Sequence, residues 1–253
     1  MMKSMRPLLV RGLVALILLL GLPTAGLALY WLATLPDVAG LAATNPSSTA
    51  LIETRTREAS AGGRPSEPNW TWVPLSRISP HVQRAVIAAE DASFYSHEGF
   101  DWSSLWGAAT RNWEVGRFRR GGSTITQQLA KNLYLSSDKT LLRKAHEALI
   151  THEIERRLSK RRILELYLNV VEWGRGVYGI EAAAQHHFGK SALDLTPQEA
   201  ALLAAILPSP RRYDPLPQRL TPYLTLRQQQ ILRWMGENGA TKTTKSVNGK
   251  PRR

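Results

Sequence analysis

EDASFYSHEGFD, residues Glu90–Asp101, and RGGSTITQQLAKN, residues Arg120–Asn132, decide the reading of this chain. The first sets Glu90 and Asp91 side by side directly after the apolar run Ala85–Ala89. An acid beside an apolar wall is a candidate general base, because loss of solvent raises its pKa toward working pH. The second places a Gly-Gly-Ser-Thr turn at the start of a helix that carries Gln127, Gln128 and Lys131. Free backbone amides at a helix start, backed by a lysine, make an anion site. Acid and anion cradle together point to transfer of a group that leaves as a phosphate. No Walker loop is involved, since no Gly-Lys-Ser/Thr follows the glycines at the required spacing.

Outward from these stretches the periodicity is helical. Ser79-Pro80 reads as N-cap and first helical residue, with Val82, Ala85, Val86 and Ala89 forming a stripe. Further helices are expected at Thr124–Tyr134, Leu141–Leu158, Arg161–Asn169 and Ile180–Phe188. Thr196-Pro197-Gln198-Glu199 is a capping box, and Pro208 stops the apolar helix it opens. A last amphipathic helix is expected from about Pro222 to Gly236. Residues 36–69 read as a linker in which Ala50–Thr56 is strand-like, and Trp70–Leu75 offers an alternating partner for a small hairpin. A single folded domain is expected over residues 70–239, with a disordered basic tail at 240–253.

Gly12–Leu35 holds 24 residues without a charge. As a helix it spans about 36 Å, against a hydrocarbon core of about 30 Å. Lys3, Arg6 and Arg11 lie in the preceding tail, residues 1–11, and Asp37 is the first charge afterwards. The positive-inside rule then leaves residues 1–11 in the cytoplasm, makes 12–35 a transmembrane anchor, and puts the rest outside the inner membrane. The rival is a cleaved signal peptide, whose apolar region of ~7–15 residues is much shorter.

The net charge of +13 invites a nucleic-acid partner, yet eight basic residues sit in the two ends and leave only +5 between them. That mild bias suits anionic phospholipid or a pyrophosphate substrate and does not call for a polynucleotide. Zero cysteines fit an exported protein without disulfides and fit many cytosolic ones equally well.

These motifs resemble the peptidoglycan glycosyltransferase family, which polymerises lipid II into glycan strands. The resemblance continues in the family's order through RKAHEALITHEIE (Arg143–Glu155), KRRILELYLNVVEWG (Lys160–Gly174) and GVYGIEAAAQHHFGK (Gly176–Lys190), and it ends near LPSPRRYDP (Leu207–Pro215). No penicillin-binding domain follows, which points to the monofunctional, membrane-anchored branch. The fold implied is mainly α: one N-terminal transmembrane helix, then a lysozyme-like helical glycosyltransferase domain with a small membrane-facing lobe.

The resemblance also assigns roles. Glu90 matches the glutamate that takes a proton from the acceptor sugar's 4-hydroxyl; Asp91 and His97 orient the loop, with His97 the alternative base. Glu147 matches the second essential glutamate. Helical geometry puts it on a side with Ile150, Ile154 and Leu158, while Leu141, Leu142, Ala145 and Leu149 line another, which suggests a central helix. A structural ion pair with Arg143 or Lys144, one turn earlier, is the plainer reading of Glu147. Glu165 sits in a motif too, but its apolar surroundings suggest packing or a fixed hydrogen bond.

Lys131, Lys139 and Arg143 are the candidates for the diphosphate, each with the alternative of a solvated surface base. Ser123, Thr124, Gln127, Gln128 and Asn132 are expected to meet sugar or phosphate oxygens. Two positions depart from the family pattern: Arg120 stands where Gln is common, and Gly107-Ala108 where Arg-Ala is common, a loss that Arg111, Arg117 or Arg120 can replace. No metal held by protein ligands is expected: His146 and His152 point to different sides of their helix, and His186-His187 fit packing. A divalent cation, Mg or Mn, travelling with the diphosphate is compatible with the resemblance, though no residue demands it.

The expected substrates are lipid II and the lipid-linked strand at the membrane, with cell-wall synthesis or division proteins as partners and no nucleic acid. Two rival readings stay open. One is a lysozyme or lytic transglycosylase that cleaves glycan. The other is an anchored, non-enzymatic scaffold.

Overall fold

The computed structural model describes residues 5–63, 67–103, 122–135, 140–213, 215 and 220–247. Lys139, Arg120, Gly107, Ala108, Arg111 and Arg117 lie outside the described residues, as do 248–253. The chain forms two compact units, Met1–Asp37 and Val38–Arg253.

The first unit is helix α1, Met5–Ala33, 29 residues long. At 1.5 Å per residue it measures about 43 Å. Its stretch Val14–Trp31, with mean hydropathy 2.0, is long and apolar enough to cross a membrane. The hydroxyls of Thr24 and Thr34 donate back to Leu20 O and Tyr30 O, both at 2.8 Å, so neither needs an outside partner.

In the second unit, most helices start at a side-chain cap. Helix α2, Ala50–Ala61, is capped by the Thr49 side chain, which accepts from Ile52 N–H at 3.1 Å. This corrects the expected hairpin. Ala, Leu, Glu and Arg outweigh the β-branched residues of the segment, and the cap fixes its start. Val38, Leu41, Thr49 and Ile52 are buried, so this part of the expected linker is packed within the second unit.

Helix α3, Pro80–Glu90, follows its Ser79 cap and buries Val82, Ala85, Val86 and Ala88. Thr124 caps α4, Ile125–Tyr134, and Thr140 caps α5, Leu141–Arg157. Helix α6 is Lys160–Val170, α7 Ile180–Phe188 and α8 Pro197–Ile206, opened by the predicted Thr196/Glu199 box. Helix α9, Pro222–Val247, runs past Gly236 into the segment expected to be disordered, with no proline to stop it before Pro251.

Two helix clusters build the core. Helices α3, α8 and α9 pack against one another, while α4 is enclosed by α2, α5 and α6. Helix α8 is buried continuously from Ala200 to Ile206, as its nearly all-apolar sequence requires. Three short strands close one end: β1 (Asn69–Trp70) pairs in parallel with β3 (Val177–Tyr178), and β2 (Glu172–Gly174) pairs antiparallel to β3. Trp70 thus joins β3 and not a hairpin with the 50s. Asn169 ties this corner together, accepting from Val73 N–H at 3.0 Å and returning a bond to Val73 O at 2.9 Å.

Helix α5 departs from the two-sided burial expected of it. Its Glu147, Ile150, Thr151 and Ile154 are buried, but Leu141 and Leu142 are 90% and 58% exposed, and Ala145 is exposed. The helix meets α4, α6 and the Ala39–Ala42 turn along one face, which leaves its other apolar row in solvent.

Candidate active site

Glu90 is the last residue of α3, carried to the site by the buried stripe behind it. Its Oε2 accepts from Gln128 Nε2 at 2.9 Å, and Gln128 Oε1 accepts from the Tyr167 hydroxyl at 3.0 Å. Arg227 of α9 brings Nη2 to 3.8 Å from Oε1. Burial pushes the Glu90 carboxyl above the ordinary glutamate range; the Gln128 bond, Arg227 and Lys131 oppose that rise, and Asp91 adds to it.

Asp91, the C-cap of α3, has a structural task. Its Oδ2 accepts from Ile125 N–H at 3.0 Å, and its Oδ1 lies 2.8 Å from His97 Nε2. Gly99 N–H donates to His97 Nδ1 at 3.1 Å, so Nδ1 is the acceptor and Nε2 carries the proton given to Asp91. Both ring nitrogens are thus engaged in hydrogen bonds within the protein. Gly99 holds φ +86°, and a Cβ there would stand 2.8 Å from Thr151 Cγ2. Its carbonyl accepts from the Thr124 hydroxyl at 2.7 Å, locking the first motif to the second.

These contacts occupy three backbone amides at the start of α4, where an anion site was expected. Asp91 takes the Ile125 amide, Gln127 Oε1 takes the Thr124 amide at 3.0 Å, and Thr124 Oγ1 takes the Gln127 amide at 3.2 Å. Thr124 and the carbonyl end of Gln127 are thus engaged in the cap.

The positive charge lies one to two turns further along. A cavity of about 320 Å³ is lined by Ser123, Gln127, Gln128, Lys131 and Asn132 from the second motif, by Arg143, Lys144 and Glu147 from α5, and by Leu51 and Arg55 from α2. Four cations face one acid there. Glu147 is 3% exposed and holds both cations preceding it: Arg143 Nη1 donates to Oε2 at 2.8 Å, and Lys144 Nζ donates to Oε1. Lys144 Nζ also reaches Ser123 Oγ at 3.4 Å. Lys131 is exposed at the cavity wall, yet crowding by protein atoms lowers its ammonium pKa, with Arg143 and Lys144 pushing the same way and Glu147 opposing.

Of the sequence-predicted residues, Ser123, Gln127, Gln128, Lys131, Asn132, Arg143 and Glu147 share this cavity. Glu90 does not line it; it joins through Gln128. Glu165 has the fixed role expected, accepting from Leu75 N–H at 2.8 Å and from Arg162. Arg55, Lys144 and Arg227 were not singled out as ligands by sequence reasoning. Arg55 sat in the supposed linker, and only the Thr49 cap signal pointed to its helix. Arg227 carries no local signal at all.

The chemistry available is that of an acceptor base beside a basic hollow. Among the described residues no group of three or more His, Cys, Asp or Glu side chains is placed to hold a metal. Glu147, the one described carboxylate that lines the cavity, has both oxygens on cations.

Residues 56–236 match the family model described as Transglycosylase. A protein of Nitrosospira multiformis named biosynthetic peptidoglycan transglycosylase is 51% identical over 188 residues, covering 74% of this chain and 81% of that protein. Proteins of the same name from Aromatoleum aromaticum and Dechloromonas aromatica are 56% and 46% identical, over 67% and 82% of this chain and 74% and 85% of their own lengths. With the family model spanning more than half of the sequence and these relatives aligned over most of theirs, the chain belongs to the transglycosylase family.

Proposed function

We propose that this protein polymerises peptidoglycan glycan strands from lipid II during cell-wall biosynthesis. The observation that carries the reading is the pairing of one half-buried, hydrogen-bonded carboxylate, Glu90, with an adjoining cavity of four cations. Glu90 takes the proton of the GlcNAc 4-hydroxyl on lipid II. The freed oxygen attacks the anomeric carbon of the MurNAc that ends the growing, lipid-linked strand. The bond from that carbon to the diphosphate breaks, and undecaprenyl diphosphate leaves with the electron pair. One displacement inverts the α-linked donor to a β-1,4 linkage.

Lys131, Arg143 and Lys144 meet the charge that develops on the leaving diphosphate. Glu147 keeps Arg143 and Lys144 in place and limits their mutual repulsion. Lys139 is proposed as a further diphosphate contact on the family pattern alone. The basic cavity favours this reading over glycan cleavage, which releases no diphosphate. Helix α1 is proposed as an uncleaved anchor with its basic end in the cytoplasm, holding the catalytic domain at the outer face where both lipid-borne substrates reside.

The test is polymerisation of lipid II by the purified full-length protein, followed by gel separation of the glycan products. Glu90→Gln is expected to reduce the rate by about 10²–10⁴-fold, the usual contribution of a general base. Full activity in that variant removes Glu90 from the mechanism. Clearing of cell-wall material in a zymogram would instead favour a lytic enzyme.

A further inference from the structure

Arg227 lies on α9, beyond every motif stretch that the sequence singles out. Helix α9 packs against both α3 and α8, and this places the guanidinium beside the end of α3. Nη2 stands 3.8 Å from Glu90 Oε1, and the two side chains are only 22% and 13% exposed. That separation is an ion pair but too long for a hydrogen bond. Arg227 Nε is buried and has no hydrogen-bond partner among the described residues. A buried donor left unsatisfied is costly to retain, so the position of this guanidinium calls for a task.

The two carboxylate oxygens of Glu90 are thereby made unequal. Oε2 is occupied by Gln128, which Tyr167 orients from α6. Oε1 feels a full positive charge without giving up its lone pair to it. We propose that Arg227 is a positioning residue for the general base: it holds the Glu90 carboxylate ionised while leaving Oε1 open to receive the acceptor's proton. Glu147 shows the contrast, since both of its oxygens are hydrogen-bonded to cations. The proposal rests on the reading of Glu90 as the base.

The other charges near Glu90 do not substitute for Arg227. Asp91 is adjacent and repels. Lys131, from α4, acts at longer range and belongs to the cavity. The Tyr167 phenol is kept neutral by burial. Helix α8 has one charged residue, Glu199, which pairs with Lys190 at 2.9 Å.

The experiment measures kcat/KM for lipid II polymerisation against pH, using full-length protein in detergent, for the wild type, Arg227→Gln, Arg227→Lys and Glu90→Gln. Removing the positive charge raises the pH at which Glu90 ionises, so the acid limb in Arg227→Gln moves to higher pH by about one unit, the scale of an opposite charge at this distance. Below the limb this reads as about a tenfold lower rate at a given pH. Arg227→Lys keeps the limb at its wild-type position and remains informative if the glutamine variant does not fold. A loss of rate equal at every pH, or a limb displaced as far in Arg227→Lys as in Arg227→Gln, overturns the proposal. Full activity of Glu90→Gln defeats the underlying assignment of the base, whatever the arginine variants do.

Discussion

Glu90, half-buried, and Glu147, buried, both stand beside cations, and what holds their oxygens separates their roles. Glu147 is bonded on both sides by Arg143 and Lys144, so it is a fixed counter-charge. Its replacement by Gln leaves two cations facing Lys131 and is expected to lower stability by about 1–3 kcal/mol, the range for a buried charged group losing its partner. In a domain of this size that is a fall of about 2–4 °C in the unfolding midpoint per kcal/mol. Scanning calorimetry checks it, and an unchanged midpoint would show the pairs to be idle. Glu90 behaves in the opposite sense. Burial raises its folded pKa above the ordinary 4.5, so its contribution to stability is present below the unfolded value and is lost as pH rises through the folded one. At working pH the ionised base opposes folding slightly, as a site built for proton transfer can. Because only the ionised form accepts a proton, the acid limb of the rate profile is expected above pH 4.5. A limb at or below the ordinary glutamate value would contradict the burial.

Helices show which parts of this structure are written locally. Ser79-Pro80, Thr124 and the Thr196/Glu199 box each mark a start that the structure keeps, because capping needs only residues within one turn. The start of α4 shows the complementary case. Its Ile125 amide is taken by Asp91, 34 residues earlier, a contact that no window around Thr124 contains, while the Thr124 and Gln127 amides are taken locally within the cap. Helix α2 was misread because Ile52, Thr54 and Thr56 alternate like a strand, whereas Thr49 decides the matter by capping Ile52. The cap has a functional consequence, since α2 brings Leu51 and Arg55 to the cavity. Thr49→Ala is expected to cost about 1 kcal/mol of stability and to raise KM for lipid II more than it lowers kcat. Steady-state kinetics separate the two, and a loss confined to kcat would argue that α2 does not help bind substrate. Gly99 is a second joint between elements. Alanine there meets both a φ of +86° and a 2.8 Å approach to Thr151, so Gly99→Ala is expected to destabilise by more than the usual ~1 kcal/mol for Ala in a left-handed position. Thermal unfolding tests that directly.

At the scale of the molecule, the division into Met1–Asp37 and Val38–Arg253 separates two physical tasks. Every buried core residue from Val38 to Met235 belongs to the second unit, and the cavity and Glu90 belong to it as well. Stability of the catalytic unit therefore should not depend on α1. Deleting residues 1–37 is expected to leave the unfolding midpoint unchanged and to preserve lipid II polymerisation in detergent within a few-fold. On vesicles the outcome differs, because there the substrates are confined to a surface and a tethered enzyme meets them at a raised effective concentration. The deletion also removes three positive charges, each worth about 1 kcal/mol where it lies near an anionic surface. Rates on lipid II in anionic vesicles are thus expected to fall at least about tenfold relative to the full-length protein, a difference of about 1.4 kcal/mol. Measuring both preparations side by side makes the comparison decisive. Equal loss in detergent and on vesicles would mean that α1 supports the catalytic fold itself, whereas a loss on vesicles alone identifies it as the element that delivers Glu90 and the basic cavity to a lipid-borne substrate.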